Sequence, residues 1–187
     1  MRRPKLTRCL NMQKNMNIDY NDITTAGRLL IHKKLLPILI AETPEKGKVL
    51  FIGTESNWDY KPAFFNPLKL FDFRTLDIVD INHPDYICNI EDCPIIPDNE
   101  FDLVLFIGMY EFMGTPSKAF GEIHRILKLG GLALLSLAGV GYGGGGHGVK
   151  STEQALKEMK PLVAREIHYV HEANGEISSI NIIAKKV

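Results

Sequence analysis

Asp77 and Asp80 stand at the end of an apolar run over residues 74–79. A run of that kind reads as a strand. A carboxylate where it ends is placed to accept from both vicinal hydroxyls of a ribose, although either acid alone also reads as a plain loop cap. Other polar or glycine clusters follow other apolar runs, at residues 53–57, 89–92, 107–111 and from residue 139. In an open parallel sheet, ligands gather beyond the carboxyl ends of the strands, where the strand order reverses. These five groups are the candidate site.

The run from residue 139 needs separate weighing. Gly139-Val140-Gly141-Tyr142-Gly143-Gly144 fits the Gly-x-Gly-x-x-Gly pattern of dinucleotide-binding turns, after a strand and before a helix. It lies late in the chain, however, and only a hairpin follows, so the nucleotide-binding reading ranks third among the functions considered. The preferred reading is a mobile lid over an acceptor site. His147 in that lid is the candidate general base, since a free imidazole titrates near ~6.5; the alternative is a solvated loop histidine. Cys88 and Cys93 lack the second pair of ligands that zinc needs. His168 and His171 lie three apart on a predicted strand and point to opposite faces. Basic and aromatic residues do not interleave along any element, so nothing supports RNA binding.

The elements that must hold these groups follow from pattern. A helix is predicted from about residue 23, interrupted near Pro37, which has no backbone donor. Short apolar runs predict strands at 49–52, 74–79, 86–88, 101–107 and 132–138. Residues 54–72, with Pro62 and Pro67, read as a loop, and the gap between the second and third strands is too short for a helix. Thr115 and Pro116 predict a capped helix that Gly130-Gly131 would stop. A polar helix over 151–160 and two strands over 162–170 and 177–185, joined at Asn174-Gly175, complete the chain. The order predicts an α/β fold with a mostly parallel sheet, a C-terminal antiparallel hairpin and reduced helices after strands 1 and 2.

The 187 residues carry 22 Lys+Arg and 22 Asp+Glu, so no net field draws the chain to nucleic acid or to an anionic membrane. Three cysteines are too few and too odd for a disulfide framework, which points to a reducing compartment. Residues 1–22 form a basic tail expected to be disordered. It has Arg2, Arg3, Lys5, Arg8 and Lys14 but too little serine and no amphipathic stripe for a transit peptide. Residues 23–187 read as a single domain. No apolar run approaches the ~20 residues of a membrane helix, so a cytoplasmic location is expected.

Five stretches occur in the order seen in class I S-adenosylmethionine-dependent methyltransferases of the type 11 kind. They are Val49-Leu50-Phe51-Ile52-Gly53, Leu76-Asp77-Ile78, Asn89-Ile90-Glu91-Asp92-Cys93-Pro94, Asn99-Glu100-Phe101-Asp102-Leu103-Val104, and Glu122-Ile123-His124-Arg125-Ile126-Leu127-Lys128-Leu129-Gly130-Gly131. The last two are the most specific. The chain therefore resembles that family over roughly residues 47–138, and the resemblance implies a Rossmann-like methyltransferase fold with S-adenosylmethionine as cofactor. It further implies that Gly53, Thr54 and Glu55 hold the methionine part, and that Asp77 or Asp80 holds the ribose. Asn89 and Ile90 would flank the adenine, and Ile107, Gly108 and Met109 would line the floor near the methyl group.

The first loop departs from the family. Phe51 stands where the family has an acid, and Glu55 stands where it has a second glycine. A carboxylate ~4 Å from the methionine carboxylate would cost up to ~4 kcal/mol at an effective dielectric of 20. Glu111-Phe112 replaces an acid-histidine pair. The expected function is methyl transfer to a small-molecule or saccharide acceptor, with no nucleic-acid and no membrane partner. The alternative is a catalytically silent relative that uses the fold as a binding or scaffold module.

Overall fold

The computed structural model describes residues 26–53, 71–142 and 147–187. The predicted basic tail, nearly all of the predicted loop 54–72, and Thr54 and Glu55 lie outside the described residues. Seven strands form one sheet in the order β3-β2-β1-β4-β5-β7-β6. These are β1 (Lys48–Ile52), β2 (Asp72–Asp77), β3 (Tyr86–Ile87), β4 (Phe101–Ile107), β5 (Leu127–Ala138), β6 (Val163–His171) and β7 (Ile177–Lys185). The first five run parallel, and β7 pairs antiparallel with both β5 and β6. This is the predicted mostly parallel sheet with its C-terminal hairpin, turned at Asn174-Gly175, where Gly175 takes a φ of +85°.

Central strands are apolar on both faces because helices cover both. Val49 and Phe51 of β1 pack with Leu103, Leu105 and Ile107 of β4 beneath the N-terminal helix, through Leu35 and Leu39. Leu50, Ile52, Val104 and Phe106 face the opposite layer, with Phe120 and Ile123 of the helix Pro116–Ile126.

The predicted break at Pro37 does not occur. Helix α1 (Ala26–Leu30) widens into a π turn over Ile31–Leu35, where the Leu36 N–H donates to Ile31 O, and continues as α2 (Leu36–Glu42). Pro37 then falls in the first turn of α2, where a missing donor costs little. Strand β2 ends at Asp77, two residues short of its predicted end. Asp85 ties the following loop back by accepting from Thr75 N at 2.8 Å and pairing with Arg74 at 3.0 Å. Residues 78–85 thus join β2 to β3 without a helix.

Helix α3 (Pro116–Ile126) begins at Thr115 as predicted, but the Thr115 side chain makes no cap bond. Glu91 supplies it, accepting from Thr115 N and from Gly114 N at 3.3 Å. Nor do Gly130-Gly131 end the helix. The chain entering β4 takes its last carbonyls, with Asn99 N on Arg125 O at 3.0 Å and Glu100 N on Ile126 O at 2.8 Å. Strand β5 therefore starts at Leu127, and Gly130, at φ +82°, bends within it. Helix α4 (Thr152–Glu158) is shorter than predicted and is capped by Ser151 Oγ, which accepts from Gln154 N at 3.1 Å. In the final pair only β6 is shifted, beginning and ending one residue later than expected.

Cys88 and Cys93, whose Cα atoms lie 5.6 Å apart, form a disulfide. The turn over Asn89–Asp92 brings them together, with Asp92 N donating to Asn89 O at 2.9 Å. This corrects the expectation that the cysteines stay unpaired, and it removes the argument from cysteine count to a reducing compartment. No described helix is long and apolar enough to cross a membrane.

Candidate functional site

Strands β1, β2 and β4 finish side by side. Ile52 pairs with Leu76 on one flank and with Phe106 on the other. Gly53, Asp77 and Ile107 therefore sit together on the carboxyl edge, at the point where the strand order reverses. The Gly53 N–H donates to Leu76 O at 2.8 Å, and its φ of +83° turns the chain off the edge. The backbone favours glycine there, because side chains rarely adopt that φ; a Cβ would also press on Met109 Sδ, part of a flexible side chain that can shift away.

Asp77 is partly exposed, and its Oδ1 accepts from Val79 N at 3.2 Å, which fixes the carboxylate at the strand end. Asp80 lies three residues into the loop, 57% exposed, with its carboxylate 3.2 Å from His83 Nδ1. Since β2 stops at Asp77, only Asp77 remains on the edge itself. The Cys88 N–H donates to Asp77 O at 2.9 Å and leads to Asn89, which is exposed and accepts from Glu91 N at 3.0 Å. Ile90 is turned inward, 2% exposed, into the core beneath α3. The apolar surface beside Asp77 comes instead from Ile78, which is 63% exposed and which the sequence reading passed over.

At the end of β4, Ile107 is buried; beyond it Gly108 takes φ +65° with open space around it, and Met109 leans across Gly53. A 3-10 turn, Tyr110–Phe112, follows. Its two neighbouring polar side chains face different surroundings. The Tyr110 hydroxyl donates to Glu158 at 2.7 Å and accepts from Gln154 at 3.1 Å, anchoring α4. Glu111 is buried, its Oε2 has no hydrogen-bond partner, and burial pushes its carboxyl above the usual range. The Glu111 carbonyl accepts from His147 N at 3.3 Å, so the segment after β5 meets the turn after β4 at this residue. His147 itself is exposed. Sequence reasoning placed Glu111 in the candidate group 107–111 and in a family pair that has lost its histidine, but could not show its burial or its backbone contact with the segment around His147.

The feet of the glycine segment are close-packed. The Val149 N–H donates to Ala138 O at 2.8 Å, and Gly139 bridges to Val149. A Cβ at Gly139 would strike Ile177 O, and one at Gly148 would strike the backbone of Gly139 and Val140. Tyr142 reaches sideways, its hydroxyl donating to Glu176 at 3.3 Å. Gly143 to Gly146 lie outside the described residues.

With this geometry in place, comparisons with known proteins are informative. Residues 73–135 match the family model described as a methyltransferase domain. No curated protein matches the sequence. Among solved structures, an S-adenosylmethionine-dependent methyltransferase from Aquifex aeolicus superposes with a TM-score of 0.66 at 14% identity, covering 96% of this chain and 98% of that one. The N-methyltransferase NodS from Bradyrhizobium japonicum, in complex with S-adenosylhomocysteine, gives 0.64 at 11% identity, covering 95% and 97%. The 1,6-didemethyltoxoflavin-N1-methyltransferase of Burkholderia thailandensis gives 0.62 at 12%, covering 100% and 92%. The chain has the Rossmann-like fold of class I methyltransferases. In motifs and in architecture together, it resembles the S-adenosylmethionine-dependent members of that class.

Proposed function

We propose that this protein is an S-adenosylmethionine-dependent methyltransferase acting on a small-molecule or saccharide acceptor in the cytoplasm. The supporting observation is the edge where Gly53, with its left-handed backbone, stands hydrogen-bonded beside the strand that ends in Asp77. A turn that brings backbone close to a ligand, next to a carboxylate matched to a ribose diol, suits the two ends of a nucleoside with an amino-acid arm. When bound, the cofactor supplies an electrophilic methyl group on a sulfonium.

The chain's own residues would position it. Gly53, with Thr54 and Glu55, would receive the methionine arm, and Asp77 would accept from the ribose hydroxyls, with Asp80 as the alternate. Asn89 and the backbone of Ile90 would border the adenine, with Ile78 supplying the apolar surface. Ile107, Gly108 and Met109 would form the floor under the methyl group. His147, exposed beside the turn after β4, would take a proton from the acceptor. In-line transfer of this type gains mainly from holding the two reactants in register.

A second reading, a silent relative of the fold, draws on Met109. Its sulfur packs over Gly53 and must swing aside before a ligand can approach that backbone. Calorimetry of the purified protein with S-adenosylmethionine and S-adenosylhomocysteine tests the proposal. Binding of both, weakened in Asp77→Ala, supports it, whereas no heat at millimolar ligand favours the silent reading.

A further inference from the structure

Glu111 stands out among the buried polar groups near the site. A carboxylate removed from water costs several kcal/mol unless it is paired, and native proteins satisfy nearly all their buried polar atoms. Glu111 is 6% exposed, yet Oε2 has no donor. Within the turn only the Glu111 N–H reaches this carboxyl, and it leaves Oε2 unpaired; the N–H groups that follow are engaged elsewhere. Phe112 N donates to Met109 O at 3.1 Å and Met113 N to Tyr110 O at 3.2 Å. Gly114 N and Thr115 N both go to Glu91. The Tyr110 hydroxyl is committed to Glu158, and His147 N is used on the Glu111 carbonyl.

The position of Glu111 indicates the source of the missing donor. Met109, two residues earlier, lies against Gly53, on the side proposed for the cofactor. Glu111 lies past it, against the segment after β5. The Gly53–Met109 contact and the Glu111–His147 hydrogen bond thus link the side proposed for the cofactor to the segment proposed to cover an acceptor. A ligand group satisfying Oε2 there must bring an N–H or O–H. A cation serves best, since it also balances the ionised carboxylate in a poorly hydrated place.

We propose that Glu111 is an acceptor-binding residue and that the acceptor presents an amine. The inference rests on the methyltransferase reading above. In the resulting step the ammonium transfers one proton to Glu111, which for an amine acceptor takes over the proton-accepting role given above to His147, leaving a neutral amine. The nitrogen lone pair then bonds to the methyl carbon while the carbon–sulfur pair returns to sulfur. The positive charge moves from sulfur to nitrogen, and Glu111 later releases its proton to water.

Three ligands separate the possibilities without knowledge of the acceptor. S-adenosylhomocysteine is neutral at sulfur. S-adenosylmethionine is cationic there but has no N–H at that point. Sinefungin carries CH–NH3+ in place of S+–CH3, so its ammonium sits where methyl meets acceptor. By calorimetry, sinefungin should bind the wild-type protein about tenfold more tightly than either of the others, as a charge-assisted hydrogen bond allows. Glu111→Gln should abolish that preference, and Glu111→Asp should keep part of it. Equal affinities in the wild-type protein overturn the proposal on their own, whether or not the variants fold. A preference that survives Glu111→Gln also overturns it, while leaving the cofactor reading intact. Failure of all three ligands to bind removes the methyltransferase reading itself, and this inference with it.

Discussion

Removing the Arg125 side chain should destabilise the protein by about 3–5 kcal/mol. All five guanidinium donors are used. Nε and one terminal nitrogen hold Glu122, the terminal contact at 2.8 Å. The same terminal nitrogen reaches Cys93 O at 3.0 Å, while the other reaches Ile96 O at 2.8 Å and Asp98 at 2.6 Å. The side chain is 27% exposed, so these bonds are partly shielded from water. In Arg125→Ala two backbone carbonyls lose charged donors, at about 1.5–3 kcal/mol each. The pair with Asp98, itself 68% exposed, adds almost nothing. For a chain of this size, about 2–4 °C is lost per kcal/mol, so the melting midpoint should fall by about 10 °C. Urea and thermal denaturation followed by circular dichroism at pH 7 measure it. Arg125→Lys should recover little, because an ammonium cannot reproduce the planar fork. Arg125 also holds the Glu122 carboxyl below its usual range by hydrogen bonding. A depressed carboxyl contributes stability above its unfolded value of 4.5 and loses it as pH falls through the lower folded value. The gap between wild type and Arg125→Ala should therefore narrow in acid. A loss below about 1 kcal/mol at pH 7 would refute the clamp and leave residues 93–98 held by the Cys88–Cys93 disulfide and by the packing of Cys93 and Ile96.

Glu111→Gln should stabilise the ligand-free protein at pH 7–8 by about 1–3 kcal/mol. Because burial raises this carboxyl, its ionisation weakens the fold as pH rises above the unfolded value of 4.5, so the advantage of glutamine should vanish below that pH; chemical denaturation at both ends of the range checks it. His32 carries the opposite dependence. Burial, aided by Arg28, lowers its imidazole from 6.5 to about 4, so stability is complete above pH 6.5 and drains away as pH falls toward 4. Each pH unit is worth about 1.4 kcal/mol, which caps the effect near 3 kcal/mol, and water around the partly exposed ring lowers it. His32→Gln should flatten the melting profile over that interval, and an unchanged slope would contradict the assignment. Asp77→Ala, which removes a charged acceptor from two proposed hydroxyl bonds, should weaken S-adenosylmethionine binding about a hundredfold. Retained affinity in calorimetry would move the ribose elsewhere.

Strands β4 and β7 were legible to the residue because a dense apolar run and an Asn-Gly turn leave few alternatives. The motifs that carried the family resemblance prove to be structural supports. Asp102, 12% exposed, accepts from Lys48 N at 2.8 Å and pairs with Lys128 at 2.7 Å, joining the starts of β1, β4 and β5. Glu122 and Arg125 form the clamp on residues 93–98. Both lie away from the carboxyl edge, so they report the fold and say little about the ligand. What the sequence concealed was settled by distant partners. The end of α3 depends on Asn99 and Glu100, and the Glu111 backbone is met by the segment around His147. Helical periodicity through Leu127 cannot reveal that its neighbours' carbonyls are already taken.

The glycine-rich stretch invites description as a uniform flexible tract, yet its two feet are the places where backbone crosses backbone with no room for a methyl group. Every single-base missense change in a glycine codon introduces a side chain. At Gly139 and Gly148 each such change forces apart chains that must touch. At Gly141, φ is +85° but the surrounding space is empty, so asparagine or aspartate meets no obstacle beyond the backbone preference. The stretch thus holds two sites almost closed to inherited variation within a few positions of one that is half open. Randomised codon libraries would reveal this as sharp local differences in tolerance inside what looks like a monotonous run.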